Sequence, residues 1–224
     1  MKKITLILST ILISAAAWAQ NKQLTLSTVM DGTFYAKGAS SVTPLSDGEH
    51  YLTSENGRLI LKNSFKTGQV TDTILNLNDV RGERLPAFDG FILSPTEDII
   101  LLQTNTNKIF RRSFTADYYI FTIRNNKIDP LTTGGPVQVP SISPDGHNIA
   151  FVRDNNLFLV KLLFNNAEVQ VTKDGEIGKV RNGIPDWAYE EEFGLTRAYE
   201  FSADSRMIAW IKFDESNVGS YQLP

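Results

Sequence analysis

Short apolar runs separated by turn-forming residues dominate the chain beyond residue 20. Representative runs occupy residues 58–61, 99–103, 149–152 and 207–211. They are rich in Val, Ile, Leu and Phe and are bounded by Gly, Pro, Asn and Asp, which is typical of strands joined by tight turns. No stretch beyond residue 20 has convincing helical periodicity. The pattern therefore predicts an all-β fold.

A turn motif recurs in front of four of these runs. The copies begin at Ser46, Ser94, Ser143 and Ser202, spaced by 48, 49 and 59 residues. In the third copy, Ser-Pro-Asp-Gly, the Pro presets the first corner, the Asp caps the local backbone and the Gly accepts a positive φ. The fourth copy, Ser-Ala-Asp-Ser, lacks the Pro and the Gly. We therefore expect a looser turn, or one of another type, at the fourth copy.

A turn-then-strand unit at this period is typical of a four-stranded blade of a β-propeller. Residues 154–156 form a predicted tight turn between two apolar runs, which indicates a hairpin inside the third unit. An antiparallel sandwich, which also spaces strands evenly, is the alternative, but the repeated turn favours a propeller. About three and a half units predict an incomplete propeller, whose open edge would promote self-association of the chain into homo-oligomers or aggregates. Trp210, in the last run, is expected in a blade core.

The first nineteen residues have the order of a secretory signal peptide. Lys2 and Lys3 precede an apolar stretch over residues 4–18, and Ala17 and Ala19 place small residues at both positions of a cleavage site. A buried N-terminal helix is the alternative. The stretch is too short for a comfortable membrane span. We predict a signal peptide over residues 1–19, a mature domain over 20–224, and a periplasmic or secreted protein without a membrane span after cleavage.

Composition excludes several classes of site. The chain has no cysteine, which rules out a disulfide scaffold, a Cys-ligated zinc site and a lipoprotein anchor. Its two histidines, His50 and His147, are too few and too isolated for a metal cluster. A net charge of -3 with scattered Lys and Arg provides no basic surface for nucleic acid. We predict neither a cofactor nor a metal.

The most unusual segment is Asp-Trp-Ala-Tyr-Glu-Glu-Glu-Phe at residues 186–193. Three successive carboxylates beside two large aromatic side chains suit the binding of a cation against an apolar wall. A solvated acidic helix start, stabilised by the helix dipole, is the structural alternative. Cation binding by Glu190, Glu191 and Glu192 with Asp186 is another, although the alternating ligand spacing of a calcium loop is missing.

This segment resembles the amine-binding motif of the dipeptidyl peptidase IV family of serine exopeptidases. The resemblance extends to residues 111–118, 183–187 and 213–216 and to the blade turns. Members of that family place a β-propeller ahead of an α/β-hydrolase domain with a Ser-Asp-His triad. The resemblance implies peptide substrates with a free amino terminus and the release of N-terminal dipeptides of the X-Pro or X-Ala type.

The resemblance also implies roles for individual residues. Glu191 and Glu192 match the two glutamates that grip the substrate α-ammonium group, and Arg111 matches an arginine that contacts a substrate carbonyl. Asp186, Trp187 and Tyr189 are expected to support the turn by packing. Because neighbouring side chains on a regular helix diverge by about 100°, a short or distorted turn is expected to bring the two glutamates together. A shift of register would put Arg112 in place of Arg111, and Glu190 matches a position without a substrate contact.

The chain contains no Gly-x-Ser-x-Gly nucleophile elbow, and its two histidines offer no plausible triad order. We therefore predict no catalytic residue in it, and expect it to be the N-terminal recognition part of such an exopeptidase, with the hydrolase domain missing. The alternative from another class is a catalytically empty propeller that binds a protein or peptide partner.

Overall fold

A computed structural model of the chain describes residues 24–36 and 41–219. The chain divides into two compact units, Met1–Ser40 and Ser41–Pro224. In the first unit, helix α1 spans Leu26–Met30 and is capped by Thr25, whose hydroxyl accepts a hydrogen bond from the Thr28 N–H at 3.2 Å. The predicted signal peptide lies outside the described residues. In the part of the chain that is described, no helix has the length and apolar character needed to cross a membrane.

The second unit consists mainly of strands. Its elements are β1 (Thr43–Pro44), β2 (His50–Glu55), β3 (Leu59–Ser64), β4 (Val70–Asn76), β5 (Arg81–Gly82), β6 (Gly90–Leu93), β7 (Ile99–Lys108), β8 (Phe114–Thr122), β9 (Lys127–Pro130), β10 (Gln138–Ile142), β11 (Asn148–Arg153), β12 (Asn156–Lys161), β13 (Ala167–Gln170), β14 (Val180–Asn182), helix α2 (Trp187–Phe193), β15 (Tyr199–Phe201), β16 (Ile208–Trp210) and β17 (Lys212–Asp214), with 3-10 turns at Ile123–Asn125 and Leu162–Phe164.

Three large sheets follow one another along the chain. The first has the order β1-β2-β3-β4, the second β5-β9-β8-β7-β6 and the third β10-β11-β12-β13. Two-stranded sheets β14-β17 and β15-β16 come last. The predicted all-β fold of four-stranded antiparallel, propeller-like sheets is confirmed. Two short helices, α1 and α2, also follow residue 20, and both are too short to leave a periodic pattern in the sequence.

The second sheet differs from a four-stranded blade because β5 pairs in parallel with β9. A Cβ atom on Gly82 would clash with the carbonyl oxygen of Ile128, and Gly82 has a φ of 84°. Glycine is the residue that permits this close approach at a positive φ. The added strand therefore depends on one residue that the repeat pattern did not single out.

The core lies between neighbouring sheets, and the central strands are buried on both faces. In β11, Ile149 and Phe151 pack towards the second sheet. Ala150 and Val152 pack towards the fourth repeat, which comprises β14–β17 and α2 and is called the fourth unit below. Successive side chains of a strand point to opposite faces. A strand covered on both faces therefore has a continuous apolar run rather than an alternating one, which explains residues 149–152.

The four repeated turns share one conformation. Each joins the first and second strands of its unit and places one residue at positive φ: Gly48 at 68°, Glu97 at 58°, Gly146 at 74° and Ser205 at 60°. The fourth turn is neither looser nor of another type, contrary to expectation. Local hydrogen bonds of the turn outweigh the conformational cost of placing Ser205 in the left-handed region.

The third and fourth turns make matching side-chain hydrogen bonds. The Ser143 hydroxyl donates to Asp145 Oδ1 at 2.6 Å, and the Ser202 hydroxyl donates to Asp204 Oδ1 at the same distance. The backbone N–H five residues after each serine donates to the serine oxygen at 2.9 Å. The Asp145 N–H also donates to Ser205 Oγ at 3.0 Å, which joins the two turns directly.

Candidate functional site

Helix α2 is an insertion into a strand. Strand β17 pairs with β14 and the preceding β16 pairs with β15, so the segment 208–214 pairs with two separate pieces of chain. Three backbone hydrogen bonds close the gap: Gly183 N–H to Ile211 O at 3.0 Å, Ile211 N–H to Ala198 O at 2.8 Å, and Ala198 N–H to Gly183 O at 2.9 Å. The chain thus leaves the strand after β14, forms α2 and rejoins the same ladder at β15.

The insertion is anchored at both ends. Ile184 is buried in the cluster that also contains Val152 and Leu157 of the third sheet. At the return point, Tyr199 is buried, and its hydroxyl donates to Ala150 O at 2.8 Å and also contacts Val139 O. Burial raises the pKa of Tyr199, which keeps its hydroxyl protonated as a donor. The inserted helix therefore sits on the core of the third sheet.

Helix α2 has a cap at each end. Asp186 is its N-cap, and its carboxylate accepts from the Tyr189 N–H at 2.9 Å. Gly194 ends the helix in the left-handed conformation with a φ of 66°. Where a short or distorted turn was expected, the structure has a short helix of seven residues between regular caps. Side chains of successive residues consequently point in different directions.

The three glutamates of α2 occupy three environments. Glu190 is 4% exposed, and its Oε1 accepts from the backbone N–H groups of Arg112 and Ser113, each at 2.9 Å. The Glu191 side chain is 15% exposed. Glu192 is exposed, and within residues 24–36 and 41–219 its carboxylate has no ion-pair partner. The structure therefore brings Glu191, but not Glu192, to the predicted arginine.

Arg111 lies in the loop at 109–113, which connects β7 to β8 and is called the Arg111 loop below. Its Nη1 atom is 3.4 Å from Glu191 Oε2, and its side chain is 76% exposed. Arg112 points elsewhere: its Nη1 lies 3.5 Å from the position that a Cβ on Gly194 would occupy. A cation there faces the carbonyl end of α2, which its dipole favours. The geometry thus pairs the guanidinium of Arg111, not that of Arg112, with Glu191.

The aromatic residues support the helix less than expected. Tyr189 packs against Phe193 and Phe213, with ring centroids 5.5 and 5.3 Å apart, as a supporting residue should. Trp187 is 56% exposed, so only part of its side chain is covered, and its role in packing stays a prediction. Trp210 is 42% exposed and is not in a blade core, since its strand belongs to a two-stranded sheet.

A cavity of about 360 Å³ is lined in part by the Arg111 loop. Its lining includes Phe110, Ser113, Arg153, Ile184 and Glu190. Neither Arg111 nor Glu191 lines it. The cavity is therefore a neighbour of the Arg111–Glu191 pair and not the predicted binding place itself.

The carboxylates of α2 do not converge as metal ligands would. Asp186 is occupied with its capping bond and Glu190 with two backbone amides. Across residues 24–36 and 41–219, no three acidic or histidine side chains form a group able to hold a metal ion. The geometry does not favour the alternative of a cation site at Glu190–Glu192 and Asp186.

Neither histidine lies beside α2. His50 pairs with Asp47 at 2.7 Å in the first repeated turn, and His147 lies 3.4 Å from Asp145 in the third. His50 is the first residue of β2 and His147 lies in the third repeated turn, and each is paired with an aspartate of its own turn. What the sequence missed is Glu190, which has no predicted substrate contact yet is the buried link between α2 and the Arg111 loop. The only available signal was a third glutamate next to the predicted pair.

Comparison with known proteins identifies the family of the chain. The family model described as the dipeptidyl peptidase IV (DPP IV) N-terminal region matches residues 94–224, more than half of the chain. The chain belongs to this family. The resemblance inferred from residues 186–193 is thereby confirmed for the dipeptidyl peptidase IV family and its N-terminal region.

Individual relatives of the dipeptidyl peptidase IV family extend the match. The crystal structure of Porphyromonas gingivalis dipeptidyl peptidase 4 superposes with a TM-score of 0.85 at 38% identity, covering 91% of this chain and 29% of that one. Dipeptidyl peptidase 4 of Trichophyton equinum is 34% identical over 182 residues, which is 80% of this chain and 22% of the relative. That of Arthroderma otae is 32% identical over the same coverage. The chain thus spans less than a third of the length of these proteins.

Proposed function

We propose that this chain is the N-terminal substrate-recognition part of an exported dipeptidyl peptidase IV-like serine exopeptidase, and that it binds the substrate α-ammonium group. The observation that carries the proposal is the Arg111–Glu191 pair, in which a mostly buried carboxylate faces an exposed guanidinium. Two segments distant in sequence converge on one polar site there, which is typical of a built recognition site.

The chemistry of an α-ammonium group suits this acidic helix. Its pKa is near 8, so at neutral pH it is mostly protonated and offers three hydrogen-bond donors. Glu191 and the exposed Glu192 can each accept a charge-assisted bond from it. Bound ammonium would also relieve the repulsion between the two adjacent carboxylates.

Arg111 has a separate role in the proposed site. Its guanidinium is held at one side by Glu191 and is otherwise exposed, so it can donate to a substrate carbonyl oxygen. Gripping the amino terminus at a fixed place would set the distance to a nucleophile and hence release of a dipeptide. The hydrolytic step is assigned to the family's hydrolase domain. The present chain should release no dipeptide from a chromogenic X-Pro substrate.

A titration with Ala-Pro-amide tests the proposed recognition. Chemical-shift changes in the backbone amides of residues 109–113 and 187–194 are expected with the free peptide and not with its N-acetylated form. Acetylation removes the charge and leaves the rest of the peptide intact. Equal binding of both forms would instead support a propeller that binds peptides without reading the amino terminus.

We also propose export through the signal peptide at residues 1–19, supported by its order of charge, apolar run and small residues. Mass spectrometry of the protein from its host should find a mature chain that begins at Gln20 in the extracytoplasmic fraction. A folded protein that retains Met1 would contradict this proposal.

Self-association of the isolated chain is proposed from its apolar surface. Met207, Trp210 and Ile211 are large exposed apolar side chains within residues 207–211, and exposed apolar surface promotes association. Light scattering should report a mass above that of the 25.0 kDa monomer. A monodisperse monomer at all concentrations would refute it.

A further inference from the structure

Glu190 binds the backbone of a loop far away in sequence. Its Oε1 accepts from the N–H groups of Arg112 and Ser113, which lie 78 and 77 residues before it. A buried carboxylate is costly unless its lone pairs are satisfied. Bonds from two amides to a charged acceptor meet that requirement and are stronger than bonds between neutral groups. The Arg111 loop and α2 are therefore held together at this point.

The bonds of Glu190 lie next to both partners of the Arg111–Glu191 pair. The two donated amides follow Arg111 directly, and Glu190 directly precedes Glu191. Oε1 of Glu190 thus ties the backbone beside the guanidinium to the backbone beside its carboxylate. Few degrees of freedom then separate the two side chains of the pair.

Magnitudes indicate which contact sets the position of Arg111. An ion pair with an exposed partner changes the equilibrium between the attached and the detached loop by at most about fivefold. In the 3.4 Å contact between Arg111 and Glu191, the exposed partner is Arg111. A hydrogen bond to a charged group changes it by about 10- to 150-fold, and Glu190 accepts two of them. The Arg111–Glu191 contact is too weak to order the loop alone.

We propose that Glu190 is a positioning residue of the amine-binding site: its carboxylate fixes the Arg111 loop on α2 and thereby places the Arg111 guanidinium opposite Glu191. Glu190 does not contact the substrate in this arrangement. The inference rests on the proposed function in one respect, the assignment of this site to amine binding. The positioning itself concerns the unliganded chain and can be measured without a peptide.

Amide hydrogen exchange tests the attachment of the loop in the full chain. In Glu190→Ala, the amides of Arg112 and Ser113 should exchange at least about tenfold faster than in the wild type. Glu190→Gln, which keeps one acceptor oxygen, should show a smaller increase. Glu192→Gln, which removes a charge from the same helix, should leave these two amides unchanged. Unchanged protection in β11 and β12 would show that each variant is folded.

The side-chain NMR signals of Arg111 test the positioning. Glu191→Gln should shift the guanidinium signals in the wild-type background, and this shift should disappear in Glu190→Ala and partly return in Glu190→Gln. A shift that persists in full in folded Glu190→Ala would overturn the proposal, as would unchanged exchange of the Arg112 and Ser113 amides. Such results would leave Glu190 with a stabilising role only.

A third measurement separates this proposal from the proposed function. If the wild-type chain fails to distinguish Ala-Pro-amide from its acetylated form, the amine-binding function fails while the exchange and NMR results still decide the role of Glu190. If the wild type distinguishes them, Glu190→Ala should lose about tenfold or more of its affinity for the free peptide. Wild-type affinity in this variant would overturn the positioning role.

Discussion

The third sheet and the fourth unit contain the same turn but differ in the ladder of strands around it. In the third sheet, β11 and β12 pair over six residues without a register shift, and Phe151 at their centre is fully buried. In the fourth unit, the corresponding ladder is interrupted between β14 and β15 by the segment that carries α2. The strands of the third sheet form a continuous, buried ladder. The ladder of the fourth unit is interrupted by α2, which carries acidic side chains at the surface.

This contrast shows how one repeat supports a site. The inserted segment rests on the third sheet through Ile184 and Tyr199, so a continuous unit supplies the rigid base for the interrupted one. A site on a rigid base keeps its side chains in place without a large core of its own. The difference predicts that core changes in the third sheet affect stability, while changes on α2 affect binding.

The largest expected effect comes from the core of the third sheet. Phe151→Ala removes a fully buried ring that stacks on Phe158, with centroids 5.5 Å apart. Such a truncation costs about 3–5 kcal/mol of unfolding free energy, measurable by urea denaturation. Phe193→Ala on α2, where the ring is exposed, should change it by less than about 0.5 kcal/mol. Equal losses of unfolding free energy in Phe151→Ala and Phe193→Ala would contradict the distinction between the third sheet and the fourth unit.

A smaller effect is expected when the matched turn serines are compared. Ser143 is buried, and Ser143→Ala leaves the Asn148 N–H without its side-chain acceptor. That costs about 1–3 kcal/mol. Ser202 is partly exposed, so water can replace the bond that Ser202→Ala removes from the Met207 N–H. Urea denaturation of both variants should give a clearly smaller loss for Ser202→Ala, and the reverse order would contradict the account.

The smallest difference is expected in the response to acid. The Ser143 and Ser202 hydroxyls lower the pKa values of Asp145 and Asp204 below the ordinary 3.8. A lowered pKa in the folded state stabilises the fold above the ordinary value, and this contribution is lost as pH falls below it. The urea midpoint should therefore fall from pH 5 to pH 3, and Asp145→Asn and Asp204→Asn should each reduce that fall. A slope unchanged in both variants would show that the turns do not contribute.

Much of the fold could be predicted because it depends on local signals. The doubly buried strands leave continuous apolar runs, and each turn leaves a serine followed within four residues by an aspartate. The turn conformation at Ser205 was missed because Ser202 and Asp204 accept hydrogen bonds from the backbone N–H groups that follow it, which stabilises the positive φ without a glycine. The parallel strand β5 was missed because it depends on a non-local approach of Gly82 to Ile128.

Only the site residues that match a family motif could be predicted from the sequence. Arg111 and Glu191 follow from the resemblance to the dipeptidyl peptidase IV family, and the structure places them in contact. The buried role of Glu190 depends on a loop 77 residues away, which local patterns do not report. The insertion itself left one trace, since the spacing to the fourth turn is 59 residues where the previous one is 49.

The most direct test of the account is the affinity of the chain for Ala-Pro-amide and N-acetyl-Ala-Pro-amide, measured by calorimetry in the wild type, Glu191→Gln and Glu200→Gln. Glu200 is a surface glutamate paired with Arg197, so its variant removes the same charge away from α2. We expect the wild type and Glu200→Gln to prefer the free amine by about tenfold or more. This preference should vanish in Glu191→Gln, while its unfolding free energy from urea denaturation stays within about 1 kcal/mol of that of the wild type. A preference that survives in Glu191→Gln would contradict the claim that the inserted helix recognises the amino terminus.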